Sequence, residues 1–480
     1  MAVWALVSWA TASAGTTPAA PKKTSDTEQT TTEAARAAAA SAATVARTTP
    51  PVTTVAAHTV STSATTAAGP ATAPASATTA ASRTTADATH PAPTRVSPPR
   101  TGGTGHGTTT RSDPATVLVV QDEHASSPDA APYHGSLENI AWGGHGELRF
   151  GYDLTAGVSD PSWFHVGRAN GFFLAKLGSR LRLGGQASYD RVPDDFTLER
   201  AELIARLGRG AREAHAGIFL VPLGRTNLDH DAPQYEFGER SLVATEILGV
   251  PNAELGAGLR GAGSWSRTMP FTYEVDLVTG FDDGIVMDAA GGTRLPAGRN
   301  NYGDQNGLPA LSARFAIQPS VDTEIGLSAQ SGPYNQTKVD GVKVDRTRFV
   351  HVVAADAVTN AVGVDWAAEA AGALVDIPPS LEALYAQRQW GASLEATRVL
   401  RAPLFAAWHG TSLSGGLRAE KVDFDMGIPG DSRARVGASL NIRPLPSAIV
   451  RFGWYYEWRR DRFDNLTPLG GLTLTAASYF

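Results

Sequence analysis

Nine arginines, Arg149, Arg180, Arg182, Arg200, Arg206, Arg314, Arg433, Arg435 and Arg451, alternate with apolar residues and so fall on the opposite side of their segments. Glu147, Glu202, Glu274, Asp276, Glu324, Glu369 and Glu395 share that side. A guanidinium is a planar fork that grips phosphate or carboxylate through two parallel hydrogen bonds. Two chemistries are therefore open. The arginines can form a track that favours anionic solutes, or they can pair with the carboxylates into a salt-bridged wall. Arg433 and Arg435 lie two apart and Arg451 is on the next segment, so these three should stand on one wall.

Other motifs carry less. Gly256-Ala257-Gly258-Leu259-Arg260-Gly261 spells GxGxxG, but a dinucleotide site needs a helix after it, and strand text continues here. Glycines inside a strand instead allow a bulge or close packing. Asp229-His230-Asp231 holds groups that can ligate a divalent cation. Three consecutive residues cannot aim at one centre without strain, so a solvated loop is expected. Hydrolysis needs a nucleophile beside a base, yet no GxSxG occurs and His215, His351 and His409 fall on strands or their ends. Asp282-Asp283 reads as a turn. With no Cys, thiol catalysis, zinc thiolates and disulfides are excluded. The chain reads as a non-enzyme, with no metal and no cofactor.

The elements that hold these side chains alternate with period two, which is the signature of strands. Phe271, Tyr273, Val275, Leu277, Thr279 and Phe281 share one face, opposite Thr272, Glu274 and Asp276. Leu311, Ala313, Phe315 and Ile317 oppose Ser312, Arg314 and Gln318. Val436, Ala438, Leu440 and Ile442 oppose Arg435, Ser439 and Asn441, and Val450, Phe452, Trp454 and Trp458 oppose Arg451 and Glu457. About fifteen such segments can be counted, and bacterial barrels have an even number, so about sixteen strands are expected. The missing strand should lie in 171–189, and a short helix in 380–387. No run of about 18 apolar residues offers a membrane helix, since 349–377 is broken by Asp356, Asp365, Glu369 and Asp376. A membrane chain of this kind must close its sheet into a barrel. The expected fold is thus all-β: an antiparallel transmembrane β-barrel of about sixteen strands behind a disordered N-terminal tail. Sixteen strands leave a wet lumen, which is where charged faces belong.

Three regions follow. Residues 1–14, MAVWALVSWATASA, have the apolar run and small-residue cleavage site of a signal peptide, without its basic start. Residues 15–134 are rich in Ala, Thr, Pro and Ser and cannot bury enough apolar surface to order themselves, although 31–47 has helical propensity. Residues 135–480 are the barrel. Net charge −6 argues against a nucleic-acid partner. The final strand, GLTLTAASYF, ends on Phe480 and resembles the signal read by barrel-insertion machinery.

Within the barrel, 214–261 resembles the phosphate-selective porin O and P family. The matching features are the strand GIFLVPLG at 217–224, a long loop holding Glu239-Arg240, and the Gly-rich LGAGLRG at 255–261. The resemblance implies a homotrimer in the bacterial outer membrane that passes anions over basic pore linings. It also implies that Arg225, Asp229, Asp231, Glu236, Glu239 and Arg240 form a loop that folds inward as a constriction. One departure is that Lys occurs from residue 142 onward only at 176, 338, 343 and 421. Porin-like diffusion of small polar solutes or anions is the expectation, with lipid around the barrel and the tail in the periplasm. The alternative is a structural or adhesive barrel with no open channel.

Overall fold

The computed structural model describes Gly135–Leu137 and residues 139–480, apart from 192–194, 209, 267, 287–291, 300, 305, 408 and 409. The expected signal peptide, the expected tail and the 31–47 segment lie outside the described residues.

Sixteen antiparallel strands close on themselves. They are β1 (Ile140–Thr155), β2 (Val158–Lys176), β3 (Leu181–Asp190), β4 (Asp195–Arg206), β5 (Arg212–Leu220), β6 (Ala253–Ser266), β7 (Met269–Val278) and β8 (Ala310–Ser320). There follow β9 (Thr323–Pro333), β10 (Phe349–Ala361), β11 (Val364–Val375), β12 (Arg388–Arg401), β13 (Ser412–Asp423), β14 (Ser432–Leu445), β15 (Ala448–Arg460) and β16 (Leu466–Tyr479). Each pairs with its chain neighbour, and β16 closes on β1 from Leu469↔Thr155 to Tyr479↔His145. Phe480 completes the seam by exchanging backbone bonds of 3.1 and 2.9 Å with Gly144. A Cβ at Gly144 would lie 2.8 Å from the Phe480 ring, so a glycine is needed there.

Alternation decides which way each residue faces. Leu148, Leu327 and Leu417 are more than half exposed on the outside, while Glu202, Asn441 and Thr475 are buried within. Two-residue hairpins occur at both ends: Val362-Gly363 joins β10 to β11 at the end holding the C-terminus, and Ala156-Gly157 joins β1 to β2 at the other. In both pairs the two residues have φ between 49° and 85°, the left-handed geometry of a type I′ turn that matches strand twist. Long connections gather at the end away from the C-terminus, where 221–252 folds inward and is joined by Phe281, Ile285 and Leu295 of the next connection.

The hydrophobic core is there, inside the barrel mouth. Val221, Leu223, Leu242, Val243, Ile247 and Leu248 of the first connection meet Phe281, Ile285 and Leu295 of the second, against inward Val350, Val352, Ala371, Ala373 and Val375 of β10 and β11.

The structure corrects some boundaries. The stretch 171–189 holds the end of β2 and nearly all of β3. The stretch 380–387 forms turns instead of a helix. β7 stops at Val278, so Thr279 and Phe281 are not on its outer face; Phe281 turns inward into the core. Among the described residues, no helix is long and apolar enough to cross a membrane.

Candidate lumen constriction

Residues 221–252 leave β5 and return to β6 across the lumen. Asn227, wholly buried, staples their two ends: its amide donates to the carbonyls of Val221 and Asn252 at 2.7 and 2.9 Å and accepts from the Asn252 N–H at 2.7 Å. Gly224 takes φ +77° to start the inward turn and donates to Ser328 Oγ at 2.8 Å. Glu369 on β11 accepts from the Thr226 N–H and hydroxyl at 3.1 and 2.6 Å. After a first helical turn at Arg225–Leu228, a second helical stretch, Val243–Leu248, buries Val243 and Ile247 against the apolar inner face of β10 and β11.

The middle of the connection is held by arginines of the wall. Arg451 Nε donates to the Tyr235 carbonyl at 2.9 Å, and its Nη2 to the Ala232 carbonyl. Arg443 pairs with Glu236 at 2.7 Å. Glu239 is gripped by Arg149 and, at 2.9 Å, by Arg435. Arg418 donates to the Glu239 carbonyl at 2.8 Å. Arg240 leaves the loop to meet Asp190 at 2.8 Å. Burial pushes the Glu239 carboxyl up, but Arg149 and Arg435 outweigh it and bring it to about 2.

The other arginines on the same inner face are also met by carboxylates. Arg182 pairs with Glu213, Arg200 with Glu202 at 3.2 Å, Arg314 with Asp356, and Arg433 with Glu246 at 2.7 Å. Arg451 adds Glu147 at 2.9 Å and is 1 % exposed, so no solute reaches it. Arg180 lies in the turn between β2 and β3 and Arg206 at the end of β4; both are exposed at the rim, joined by a backbone bond of 2.8 Å. They are not brought to the other seven.

Asp229-His230-Asp231 is not a solvated stretch. His230 is buried with Nε2 3.0 Å from Glu199, while Asp231 is buried 3.2 Å from His145 and 3.0 Å from the Tyr479 hydroxyl. Asp229 turns back to Arg225 at 3.3 Å. The three side chains diverge because each answers a different strand. The GxGxxG lies wholly within β6.

Because the connection lies against the arginine side, the open space is on the other. A cavity of about 510 Å³ separates it from β9 to β13. Nine carboxylates border it, namely Asp229, Glu236, Glu239, Asp322, Glu324, Asp356, Asp365, Glu369 and Glu395, against three arginines, Arg225, Arg240 and Arg418.

No protein-family profile and no curated protein matches the sequence. Solved structures of similar shape are outer-membrane proteins. The anion-selective porin of Comamonas acidovorans is 12 % identical over 71 % of this chain and 99 % of its own, with TM-score 0.45. OmpF of Salmonella typhi is 12 % identical over 71 % and 98 %, with TM-score 0.44. The outer membrane channel DcaP of Acinetobacter baumannii is 12 % identical over 72 % and 99 %, with TM-score 0.45.

Sequence reading did not single out Arg418 or Glu420, although both obey the same alternation. Arg418 and Glu420 are two apart on β13, and Arg435 reaches Glu420 at 2.7 Å across the register. The signal for the docked helix is also in the sequence. Inward Val350 and Val352 are apolar where most lumen positions are polar, which marks a surface something else must cover.

Proposed function

We propose that this chain is a passive outer-membrane channel for small polar solutes, constricted by residues 221–252, and that it favours cations over anions. The observation that carries this is the cavity beside the constriction, with three carboxylates for each arginine. A low-dielectric wall of one prevailing sign concentrates counter-ions in the passage. Of the nine arginines, which the sequence left open as an anion track or a salt-bridged wall, seven are occupied as loop clamps and wall pairs. A strict phosphate preference gains no support from them.

The outer band of Leu, Val and aromatic residues suits lipid, since a charge there would cost about 2 to 4 kcal/mol at mid-depth. The end holding the C-terminus then belongs on the periplasmic side and the long connections outside. A homotrimer remains part of this reading through the resemblance.

The test is a planar-bilayer recording of the purified full chain under a salt gradient. Discrete conductance steps with a reversal potential on the cation side are expected. A silent barrel would favour the structural or adhesive alternative, and an anion-side potential would reject the selectivity.

A further inference from the structure

One cluster of charged groups lies apart from the constriction contacts. His215 on β5, Glu202 on β4, and Glu274 and Asp276 on β7 meet on the inner face. His215 Nε2 is 3.0 Å from Asp276 Oδ1 and 3.7 Å from Glu274 Oε1, while Nδ1 is 3.3 Å from Glu202. The side chains of His215, Glu202 and Asp276 are fully buried. The Phe219 ring abuts the imidazole edge-on, centroids 4.4 Å apart, and fixes its plane.

The cluster exists because of a glycine. His215 is in register with Gly258 on β6, and Gly258 with Asp276. Any Cβ at Gly258 would collide with the Asp276 carboxylate. Two side chains from strands two apart, about 9.6 Å between backbones, therefore meet over a bare position. Arg200 stands against Glu202 at 3.2 Å, while Arg260, in register with Glu274, reaches Glu202 at 3.9 Å and Glu213 at 3.3 Å and is the cation that a bound metal would displace. Asp276 Oδ2 is buried without a hydrogen-bond partner.

We infer that His215 Nε2, Glu274 and Asp276 form a binding site for a divalent transition-metal cation of the zinc type. One imidazole and two carboxylates suit such an ion. Tetrahedral ligands at zinc bond lengths stand roughly 3.3 Å apart; the two separations from His215 Nε2, 3.0 and 3.7 Å, bracket that value, and the three donor atoms all lie within 4.8 Å of one another. The Glu202 carboxylate stands 3.3 Å from Nδ1, where its charge favours a proton on Nδ1 and leaves Nε2 facing the carboxylate pair, the support a metal-binding histidine usually has. Entry is open on one side: Glu274 is the least buried member and borders a cavity of about 100 Å³ with Arg225, Arg260, Tyr273 and Arg314. A fourth ligand, water, would come from there.

The experiment uses the folded full chain in detergent, stripped of metal, dialysed against micromolar zinc chloride and assayed for bound zinc. Retention of about one zinc per chain is expected, with an X-ray absorption shell of nitrogen and oxygen at about 2.0 to 2.2 Å that includes an imidazole. Glu274→Gln should weaken zinc binding at least tenfold with the barrel still folded, as judged by heat-modifiable gel migration. Glu202→Gln should weaken it about 10- to 100-fold without removing a ligand. Should Glu202→Gln fail to fold, Glu274→Gln alone decides, being the more exposed and isosteric change. No zinc retained by the folded wild type would mean that His215 is an imidazolium bridging Glu202 and Asp276, and would overturn the site. Retention unchanged in Glu274→Gln would assign the zinc to other carboxylates and overturn it equally.

Discussion

Arg451 is buried among Glu147, the Thr475 hydroxyl and two carbonyls of the constriction, at 2.9 Å for three of these four contacts. A guanidinium so placed cannot act on a passing solute; its work is to hold Tyr235 and Ala232 against the wall. Removing it would take from Glu147, also buried, its hydrogen-bonded partner at 2.9 Å and leave only Arg168, its neighbour across the register, as counter-charge. Arg451→Gln is expected to cost about 3 to 5 kcal/mol, read as a lower urea midpoint for the barrel in lipid vesicles. Arg460→Gln, at an exposed guanidinium on the same strand paired only with the equally exposed Asp464, should change it by less than about 0.5 kcal/mol. Equal shifts would show that Arg451 clamps nothing. Period-two alternation told which way Arg451 points, because pointing is a local property of the strand. Whether its charge is met depends on a connection some 216 positions away in sequence, and no local pattern encodes that. Ser439 makes the same point: alternation alone suggests that a long side chain there would be tolerated in a wet lumen, yet Ser439 is buried beneath the constriction beside Asn441.

At the scale of the element, 221–252 is an inserted connection with two kinds of anchor. One is apolar, the Val243–Leu248 helix on β10 and β11; the other is ionic, with Glu236 and Glu239 on the arginine wall. The apolar anchor does not respond to pH, and the ionic one does. Burial pushes the Glu236 carboxyl up, but Arg443, Ser414 and Asn441 outweigh it and hold it below its ordinary value. Glu239 is lowered to about 2 by Arg149 and Arg435. Both folded values lie below the ordinary 4.5. Their stabilisation is therefore complete above that value and is lost as pH falls through the lowered ones. Channel conductance should stay flat from neutral pH to about pH 4, then become larger and noisier towards pH 2 as the latch releases. In Arg149→Gln/Arg435→Gln the onset should rise to about pH 4 to 5, near an unperturbed glutamate. An onset that is the same in both proteins would mean that these pairs do not hold the element. The existence of the loop was legible through Glu239-Arg240 between two recognisable strands. The burial of Asp229-His230-Asp231 was not, because a run of charges reads as solvated until Glu199 and His145, from distant strands, are seen to meet it.

Around the inserted connection, the arginines that clamp it and the carboxylates that border the cavity lie on opposite sides of the lumen. β14, β15 and β1 supply Arg433, Arg435, Arg443, Arg451 and Arg149, and they face the inserted connection. β9 to β12 supply Glu324, Asp356, Asp365, Glu369 and Glu395, and they face the cavity. The strand number and the inward and outward faces could be read from alternation and turn residues. This sorting could not, since arginines and carboxylates alternate alike along the chain and only closure of the barrel sets strand against strand. The sorting has a measurable consequence at the two least encumbered acids. Asp322 lies in the turn between β8 and β9, and Asp365 near the start of β11 with Asn360 2.6 Å away; both are exposed at the end of the cavity nearer the C-terminus. Neither is part of an arginine clamp, so Asp322→Asn/Asp365→Asn should leave folding and unit conductance nearly unchanged. Two negative charges would be lost from a passage whose remaining carboxylates are mostly tied to arginines. The reversal potential in a salt gradient should therefore move towards the anion side. The shift should be larger at about 0.01 M salt, where the Debye length is about 30 Å and spans the passage, than at 1 M, where it is about 3 Å. A potential that does not move at low salt would mean that ions pass where these carboxylates cannot be felt, and the cavity beside the constriction would not be the route.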